Sequence, residues 1–308
     1  MKLLNKNNIS LKQLAASASI ITALFLAVLK AFASYHTGSL SILSSMIDSL
    51  ADILASVITY VAVHYSDKPL TDRHRYGYGK IESVSALFQA AFIVGSAGFI
   101  LYDAFYRFIF PQPLNDTFFG IVIMIVSLVV TVLLVSFQKY VVNKIKSPAI
   151  NADSQHYVVD ILSNGAVIVS LLAVKIFAWN WFDILTAMGI SVYLLYNAWQ
   201  ITVDAIDEIT DKEVDDKIKA EIIKCVADIP EIKGYHDLRT RLSGTRLFVE
   251  IHLEFDGMLV LQKVHQITEM AENKIIAQYP QAQIIIHQDP YGIREKRLDH
   301  DIKGKCLL

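Results

Sequence analysis

The stretch from Ser41 to His64, SILSSMIDSLADILASVITYVAVH, limits most strongly what this chain can fold into. Its 24 residues contain no Lys, Arg or Glu. A helix of that length is long enough to cross a hydrocarbon core of about 30 Å. The stretch nevertheless contains Asp48 and Asp52. A carboxylate at that depth costs roughly 2.5 kcal/mol or more, so two of them require a compensating cation or protons.

The spacing of these acidic residues predicts a shared site. Asp48 and Asp52 stand four residues apart, which places both carboxylates on one face of a helix. His156 and Asp160, in NADSQHYVVDILSNGAVIV, repeat the spacing. Three carboxylates and one imidazole are enough for a tetrahedral metal site. The alternative is that these residues hydrogen-bond to polar neighbours and join helices. The lack of Lys or Arg in the inner part of either helix favours a cation.

The ligand types predict how such a site works. A divalent ion needs ionised aspartates and a neutral histidine, so its entry displaces protons. One site that holds either metal or protons, and opens alternately to each side, would exchange the two. Nitrogen and oxygen donors suit Zn²⁺ without excluding Fe²⁺, Mn²⁺, Co²⁺ or Cd²⁺. The sequence therefore favours a divalent-cation transporter.

Hydropathy predicts a helical membrane domain. The chain is 54% hydrophobic. Six apolar windows are long enough to span a bilayer: 12–33, 41–64, 82–106, 117–138, 156–178 and 183–206. The basic, apolar N-terminus is interpreted as a retained first helix rather than a signal peptide. With that terminus inside, Lys and Arg number ten at the inner ends and three at the outer ends, which favours cytoplasmic termini. The three at the outer ends are Lys30, Arg107 and Lys175.

The pattern beyond about Asp211 is typical of a soluble domain. EVDDKIKAEIIKCVADI predicts an amphipathic helix, and YHDLRTRLSG and TRLFVEIHLEF predict strands joined by a turn at Gly244 and Thr245. A helix over 259–279 and the strand AQIIIHQDP follow. The prediction is thus an α+β domain of order αββαβ with two helices on a three-stranded sheet. We divide the chain into a transmembrane domain (1–211), a cytoplasmic domain (212–291) and a flexible tail (292–308).

Two further groups of residues are candidate metal ligands. The first is dense, with five ligand types in about 55 residues: His236, His252, His265, His287 and Asp289. Any one of these histidines alone would be read as a surface residue. The second group, Asp72 and His74, lies in the loop after the second apolar window and is weak, since it offers only two ligands. The two cysteines, Cys225 and Cys306, indicate neither a disulfide framework nor a thiolate site.

Several stretches together resemble the cation diffusion facilitator family, and in particular its bacterial zinc and ferrous-iron efflux pumps. They are TGSLSILSSMIDSLADILAS, YGYGKIESVSALFQA, HYVVDILSNGAVI, HDLRTRLSGTRLFVEIHLE and IIIHQDP. The resemblance covers residues 12–291. DSLAD paired with HxxxD is a specific signal, and HDLRTR with IIIHQDP is more specific still.

The resemblance implies a homodimer with six transmembrane helices per protomer and a metallochaperone-like, ferredoxin-like cytoplasmic domain. It implies a transport site at Asp48, Asp52, His156 and Asp160. It also implies a binuclear Zn²⁺ site at the cytoplasmic dimer interface, built by His236, His252, His265, His287 and Asp289. Lys80 matches an inter-subunit salt-bridge lysine, with Asp211 as its partner and Asp207 as second choice. The family loop usually carries a second histidine where this chain has Tyr78, so we expect that loop site to be weak or absent.

These expectations define the partners and exclude other classes. We expect a multi-pass protein of the inner (plasma) membrane that contacts lipid, divalent ions and protons. A net charge of −2 gives no reason to expect nucleic acid. An intramembrane hydrolase is disfavoured because the GxGD and HExxH motifs are absent, so we expect no enzyme and no catalytic residues. The remaining alternative is a membrane metal sensor that binds without transporting.

Overall fold

The computed structural model describes residues 6–37, 40–109, 118–177, 181–293 and Arg297. The side chains of Asp48 and some other helical residues lie outside that description, as does most of the predicted tail. Six long helices come first: α1 (Lys6–Thr37), α2 (Leu40–Ser66), α3 (Ile81–Ile109), α4 (Phe118–Ile145), α5 (Pro148–Phe177) and α6 (Trp181–Ile209). The chain divides into two compact units between Ile206 and Asp207, in the last turn of α6.

Small residues allow the helices of the first unit to pack closely. One cluster joins α3, α5 and α6 through buried alanines such as Ala90, Ala152 and Ala198. A second cluster joins α1, α2, α4 and α5. Large apolar side chains cover the outside instead, as Leu133 and Trp199 do. An apolar outer surface around a close-packed interior suits a hydrocarbon solvent.

Three of the helices contain segments long and apolar enough to cross a membrane. Among the described residues these segments are Leu11–Phe32 in α1, Ile81–Tyr102 in α3 and Ile125–Ile145 in α4. The six predicted windows thus all correspond to long helices, and three of them meet this criterion for a membrane span within the described residues.

The second unit has the predicted order αββαβ. It consists of α7 (Asp216–Ala227), β1 (Gly234–Ser243), β2 (Arg246–Phe255), α8 (Leu261–Gln278) and β3 (Gln283–Pro290). The sheet order is β1-β2-β3, with β1 antiparallel and β3 parallel to β2. Gly244 has a φ of +61°, a left-handed conformation that closes the hairpin where the turn was predicted.

The ends of these elements follow from local chemistry. The side chain of Asp215 caps α7 by accepting a hydrogen bond from the Lys217 amide.

One face of the sheet packs on the helices through residues such as Ile251, Leu253 and Ile267. Strand β1 contains an irregularity between His236 and Arg239, where Asp237 has a φ of +49°. Such a bulge changes the direction of side chains, and it lies beside the histidines described below.

Candidate metal centres

The membrane unit brings together two of the four predicted transport ligands across a helix pair. His156 Nε2 on α5 lies 3.2 Å from Asp52 Oδ1 on α2. Both residues are buried. The other ring nitrogen, His156 Nδ1, has no hydrogen-bond partner among the described residues. Asp160 follows His156 by one turn of α5 and interacts with the described chain. The side chain of Asp48 lies outside the described residues.

A second buried carboxylate lies on α5. It belongs to Asp153, one turn before His156, and is fully buried. Its Oδ2 accepts hydrogen bonds from Ser19 (2.6 Å) and from Gln138 (2.6 Å). Its Oδ1 accepts from Gln89 (3.2 Å) and from Thr59 (3.4 Å). These side chains come from α1 to α5, so five helices meet at one carboxylate, which we call the Asp153 node. Four neutral donors offset the cost of burying an anion.

This node was not predicted from the sequence. Asp153 lies three residues before His156, on the same face of α5, and that spacing could have indicated it. The donors could not be identified, because which residues of four other helices reach Asp153 depends on their packing.

One basic side chain also reaches the neighbourhood of the transport pair. Lys30 on α1 donates a hydrogen bond of 2.8 Å to Ser49 Oγ on α2. Ser49 is fully buried and precedes Asp52 by three residues. Lys30 is one of the three basic residues expected at the outer ends. Helix α1 brings its ammonium group to Ser49, on the helix that carries Asp52.

In the second unit, backbone register aligns three histidines. His236 pairs with His252 across β1 and β2, and His252 pairs with His287 across β2 and β3. The rings are 4.9 Å and 4.6 Å apart between centroids. Asp289, two residues after His287, lies 2.8 Å from His252 Nδ1 and 3.1 Å from His287 Nε2. Pairing in the sheet thus gathers residues that are up to about fifty positions apart in the sequence.

The ligand atoms fall into two groups that share His252. Ligand atoms of His236, Asp237 and His252 lie within 4.8 Å of one another, and so do those of His252, His287 and Asp289. Two imidazoles and a carboxylate at such a spacing fit a divalent ion such as Zn²⁺. Asp237 was not predicted as a ligand. The bulge in β1 turns it toward the histidines.

We call His236, His252 and His287 the histidine row. A further carboxylate, that of Glu254, orients His236 at the buried end of this row. Glu254 Oε1 lies 3.0 Å from His236 Nδ1, which leaves Nε2 facing Asp289 at 3.5 Å. A carboxylate on the far ring nitrogen is the usual means of orienting a metal-binding histidine. Glu254 also accepts a hydrogen bond from Arg297. Gly234 is opposite, where a Cβ would approach the Glu254 carboxylate to 2.9 Å.

The other predicted ligands, His265, Asp72 and His74, belong to neither of these two ligand groups. His265 is on α8, 64% exposed, and faces Glu269 at 3.6 Å. In the loop, Asp72 and His74 are exposed, and the Tyr78 hydroxyl lies 3.0 Å from His74 Nδ1. Tyr78 thus interacts directly with His74 from the position where a second histidine was expected. Among the described residues, the groups of three or more candidate ligands are both in the second unit.

The predicted salt-bridge residues have partners of their own. Asp211 accepts a hydrogen bond of 3.0 Å from Arg241 Nη1. Asp207 pairs with Lys212. Lys80 immediately precedes α3 and interacts within the described chain.

Comparison with known proteins identifies the family. Residues 16–210 match the model of the cation efflux transmembrane domain, and residues 214–291 match that of the cation efflux protein cytoplasmic domain. This chain belongs to the cation diffusion facilitator family. The matches cover both units, and they confirm the resemblance on which the expectations rested. The first unit is therefore a transmembrane domain, and this cation diffusion facilitator is a membrane protein.

Relatives of this cation diffusion facilitator are similar over nearly its whole length. It is 42% identical to the cation-efflux pump FieF of Escherichia fergusonii over 279 residues, which cover 91% of this chain and 93% of that protein. It is 41% identical to FieF of Citrobacter koseri over the same shares of both chains.

Two solved structures are similar to about a quarter of this chain. The metal-bound C-terminal domain of the CzcD transporter from Thermotoga maritima is 24% identical, with a TM-score of 0.25, and covers 26% of this chain and 93% of that one. The zinc form of the zinc transporter CzrB is 28% identical, with a TM-score of 0.24, covering 26% and 89%.

Proposed function

We propose that this chain is a proton-coupled exporter of divalent metal cations, with Zn²⁺ as the principal substrate and Fe²⁺ or Cd²⁺ as further candidates. The buried pair of Asp52 and His156 carries the proposal. It joins a carboxylate and an imidazole, 3.2 Å apart, across two helices of the membrane domain. An intramembrane ionisable pair of this kind is costly unless it binds or moves a charge. The 42% identity to a cation-efflux pump supports the same activity.

The proposed transport cycle uses the chemistry of these ligands. Metal held by Asp48, Asp52, His156 and Asp160 requires ionised carboxylates and a neutral imidazole, so protons leave as metal binds. When the site opens to the other side, protons replace the metal and neutralise the carboxylates for the return. All four ligands lie on α2 and α5, so a relative shift of these two helices would change the ligand geometry.

The proposal includes the topology and assembly. All six long helices would span the inner membrane, with both termini cytoplasmic, and two copies would form a homodimer. Lys80 would pair with Asp211, or with Asp207, of the other copy. Zinc at the histidine row would neutralise carboxylates such as Asp289, and it would stabilise the dimer when metal is abundant. His265 would join that site from its place on α8. Asp72 and His74 would contribute little.

The alternative is a membrane protein that senses metal without transporting it. The two ligand groups around His252 favour it, since they form a metal centre outside the membrane domain. We do not propose an enzyme, because the GxGD and HExxH motifs are absent from the sequence.

Zinc flux into proteoliposomes under an imposed pH gradient tests the proposal. We expect wild-type flux to follow the gradient and Asp52→Ala to abolish it. Asp204→Ala is a matched control, because Asp204 is an exposed aspartate near the end of α6. Flux that persists in Asp52→Ala would move the transport site elsewhere. Zinc binding without flux in the wild type would favour the sensor.

A further inference from the structure

We propose that the Lys30 ammonium is a fixed positive charge that weakens divalent-metal binding at the transport site and so allows the metal to leave. The inference rests on the proposed function of the Asp52 and His156 pair. Lys30 Nζ donates a hydrogen bond of 2.8 Å to Ser49 Oγ. Ser49 precedes Asp52 by three residues on α2, and residues at that spacing have Cβ atoms roughly 6 Å apart.

The position of Lys30 is not that of a lysine whose head group only faces solvent. It lies inside the apolar segment Leu11–Phe32, where an ammonium group is expensive. Its hydrogen-bond acceptor is fully buried, so the head group is directed into the helix bundle. Lys30 is half-buried, and a neutral hydroxyl compensates a half-buried ammonium only partly. Asp52, three residues after Ser49 on α2, is the buried carboxylate that would supply the remaining compensation.

The transport ligands explain why such a charge is useful. Three carboxylates and an imidazole around one divalent ion form a tight site, and an exporter must also release its cargo. A positive charge one turn from Asp52 repels the incoming divalent ion and lowers its affinity. In the emptied site the same charge offsets part of the negative charge of the carboxylates.

Ser49 gives this charge a defined place. Lysine is a point charge on a flexible stem of four carbons, so without an acceptor its head group could move several ångströms. The hydrogen bond holds the ammonium at Ser49, three residues before Asp52 on α2. The pair formed by Lys30 and Ser49 thus sets the strength of metal binding without contributing a ligand.

Equilibrium zinc binding to the full-length chain in detergent tests the inference. The transport-site component is defined as the zinc binding that Asp52→Ala removes, and pH 8 limits competition from protons. Lys30→Gln keeps a donor for Ser49 and removes the charge. We expect it to tighten that component at least roughly fivefold, while Lys30→Arg stays near wild type. Lys139→Gln, on an exposed part of α4, is the matched control and should not change it.

A purely structural role for Lys30 gives a different result. If Lys30 only ties α1 to α2, Lys30→Gln would leave zinc affinity unchanged or weaken it, and the inference would be overturned. Lys30→Met removes the charge at similar length and serves if the glutamine variant does not fold. Flux measurements on the same variants should show a lower half-saturating zinc concentration and a lower maximal rate, because release is slower.

The inference and the proposed function can fail separately. If the wild type binds zinc but does not transport it, the exporter proposal fails, and the effect of Lys30→Gln on affinity still decides the inference. If Asp52→Ala removes no zinc binding, Asp52 is not at the site, and the inference is overturned with it.

Discussion

Gln138 on α4 donates a hydrogen bond of 2.6 Å to Asp153 on α5, in the interior of the membrane domain. Ser19, Thr59 and Gln89 donate to the same carboxylate. Helices α1 to α4 are therefore each hydrogen-bonded to α5 at Asp153, one turn before His156. The node fixes the rotation of α5, and with it the direction in which His156 faces.

Substituting Asp153 should separate charge from hydrogen bonding. Asp153→Leu removes an acceptor from four donors. Of these, Ser19 and Gln89 keep backbone acceptors, whereas Thr59 has no other acceptor among the described residues. Each donor left unpaired costs about 1–3 kcal/mol, so we expect a loss of that order. Asp153→Asn keeps an acceptor, and the hydroxyls can turn, so we expect most of the stability to remain. Thermal unfolding in detergent compares them. Equal losses in both variants would show that the charge is what matters.

A second polar cluster lies where α2 ends. It includes Lys12 of α1 and Glu82 of α3. Lys12 Nζ lies 2.8 Å from Glu82 Oε1 and 2.6 Å from Asp67 Oδ1. Ser66 donates a hydrogen bond of 2.6 Å to Glu82, which is fully buried. Burial raises the pKa of Asp67, and the Lys12 ammonium group opposes that rise.

Removing one charge of this cluster should lower the stability more than removing two charges does. Lys12→Met leaves the Glu82 carboxylate buried without its cation, and we expect a loss of about 3 kcal/mol or more. Adding Glu82→Leu removes one of the two carboxylates left without their cation, Asp67 being the other, and should restore part of that loss. Unfolding of the two single variants and the double variant gives the coupling. Strictly additive losses would mean that the pair contributes no interaction.

The histidine row predicts unequal effects for its members. His252 belongs to both ligand groups, whereas His265 lies 64% exposed on α8. We therefore expect His252→Ala to reduce the zinc bound by the cytoplasmic domain in the full-length chain more than His265→Ala does. Zinc stoichiometry after dialysis measures this, in a background that carries Asp52→Ala. A larger loss with His265→Ala would show that the partner subunit completes the site through α8.

The helices and strands could be predicted from sequence because each depends on local pattern. Apolar runs predicted α1 to α6, and Gly244 predicted the hairpin between β1 and β2. The domain order αββαβ followed from hydrophobic periodicity, and the family followed from motifs. These features need no knowledge of which distant residues meet.

The sites were only partly predictable, because they depend on register and packing. That His236, His252 and His287 stand side by side follows from strand pairing, which motif spacing does not give. Asp237 enters its ligand group only because β1 contains a bulge. The hydrogen bond from Lys30 to Ser49 could not be predicted, because the neighbour of Lys30 on α2 depends on how two helices pack.

Tyr279 gives the cytoplasmic domain a pH-dependent contact. Its hydroxyl donates a hydrogen bond to Glu221, which joins the end of α8 to α7. Burial, and then this bond to a carboxylate, raise the pKa of Tyr279 to about 12. A raised pKa means that folding favours the neutral phenol. The resulting stability is fully present below the ordinary tyrosine pKa of about 10 and is lost as the pH rises toward 12.

Tyr279→Phe should remove this dependence. We expect it to lower the stability of the domain by about 1 kcal/mol at neutral pH and to flatten the fall in stability between about pH 10 and 12. Tyr235→Phe, which changes an exposed tyrosine of β1, is the matched control. Thermal unfolding of the full-length chain across this range measures the stability, and tyrosinate absorbance follows the titration itself. A variant that loses stability with pH as steeply as the wild type would show that another group is responsible.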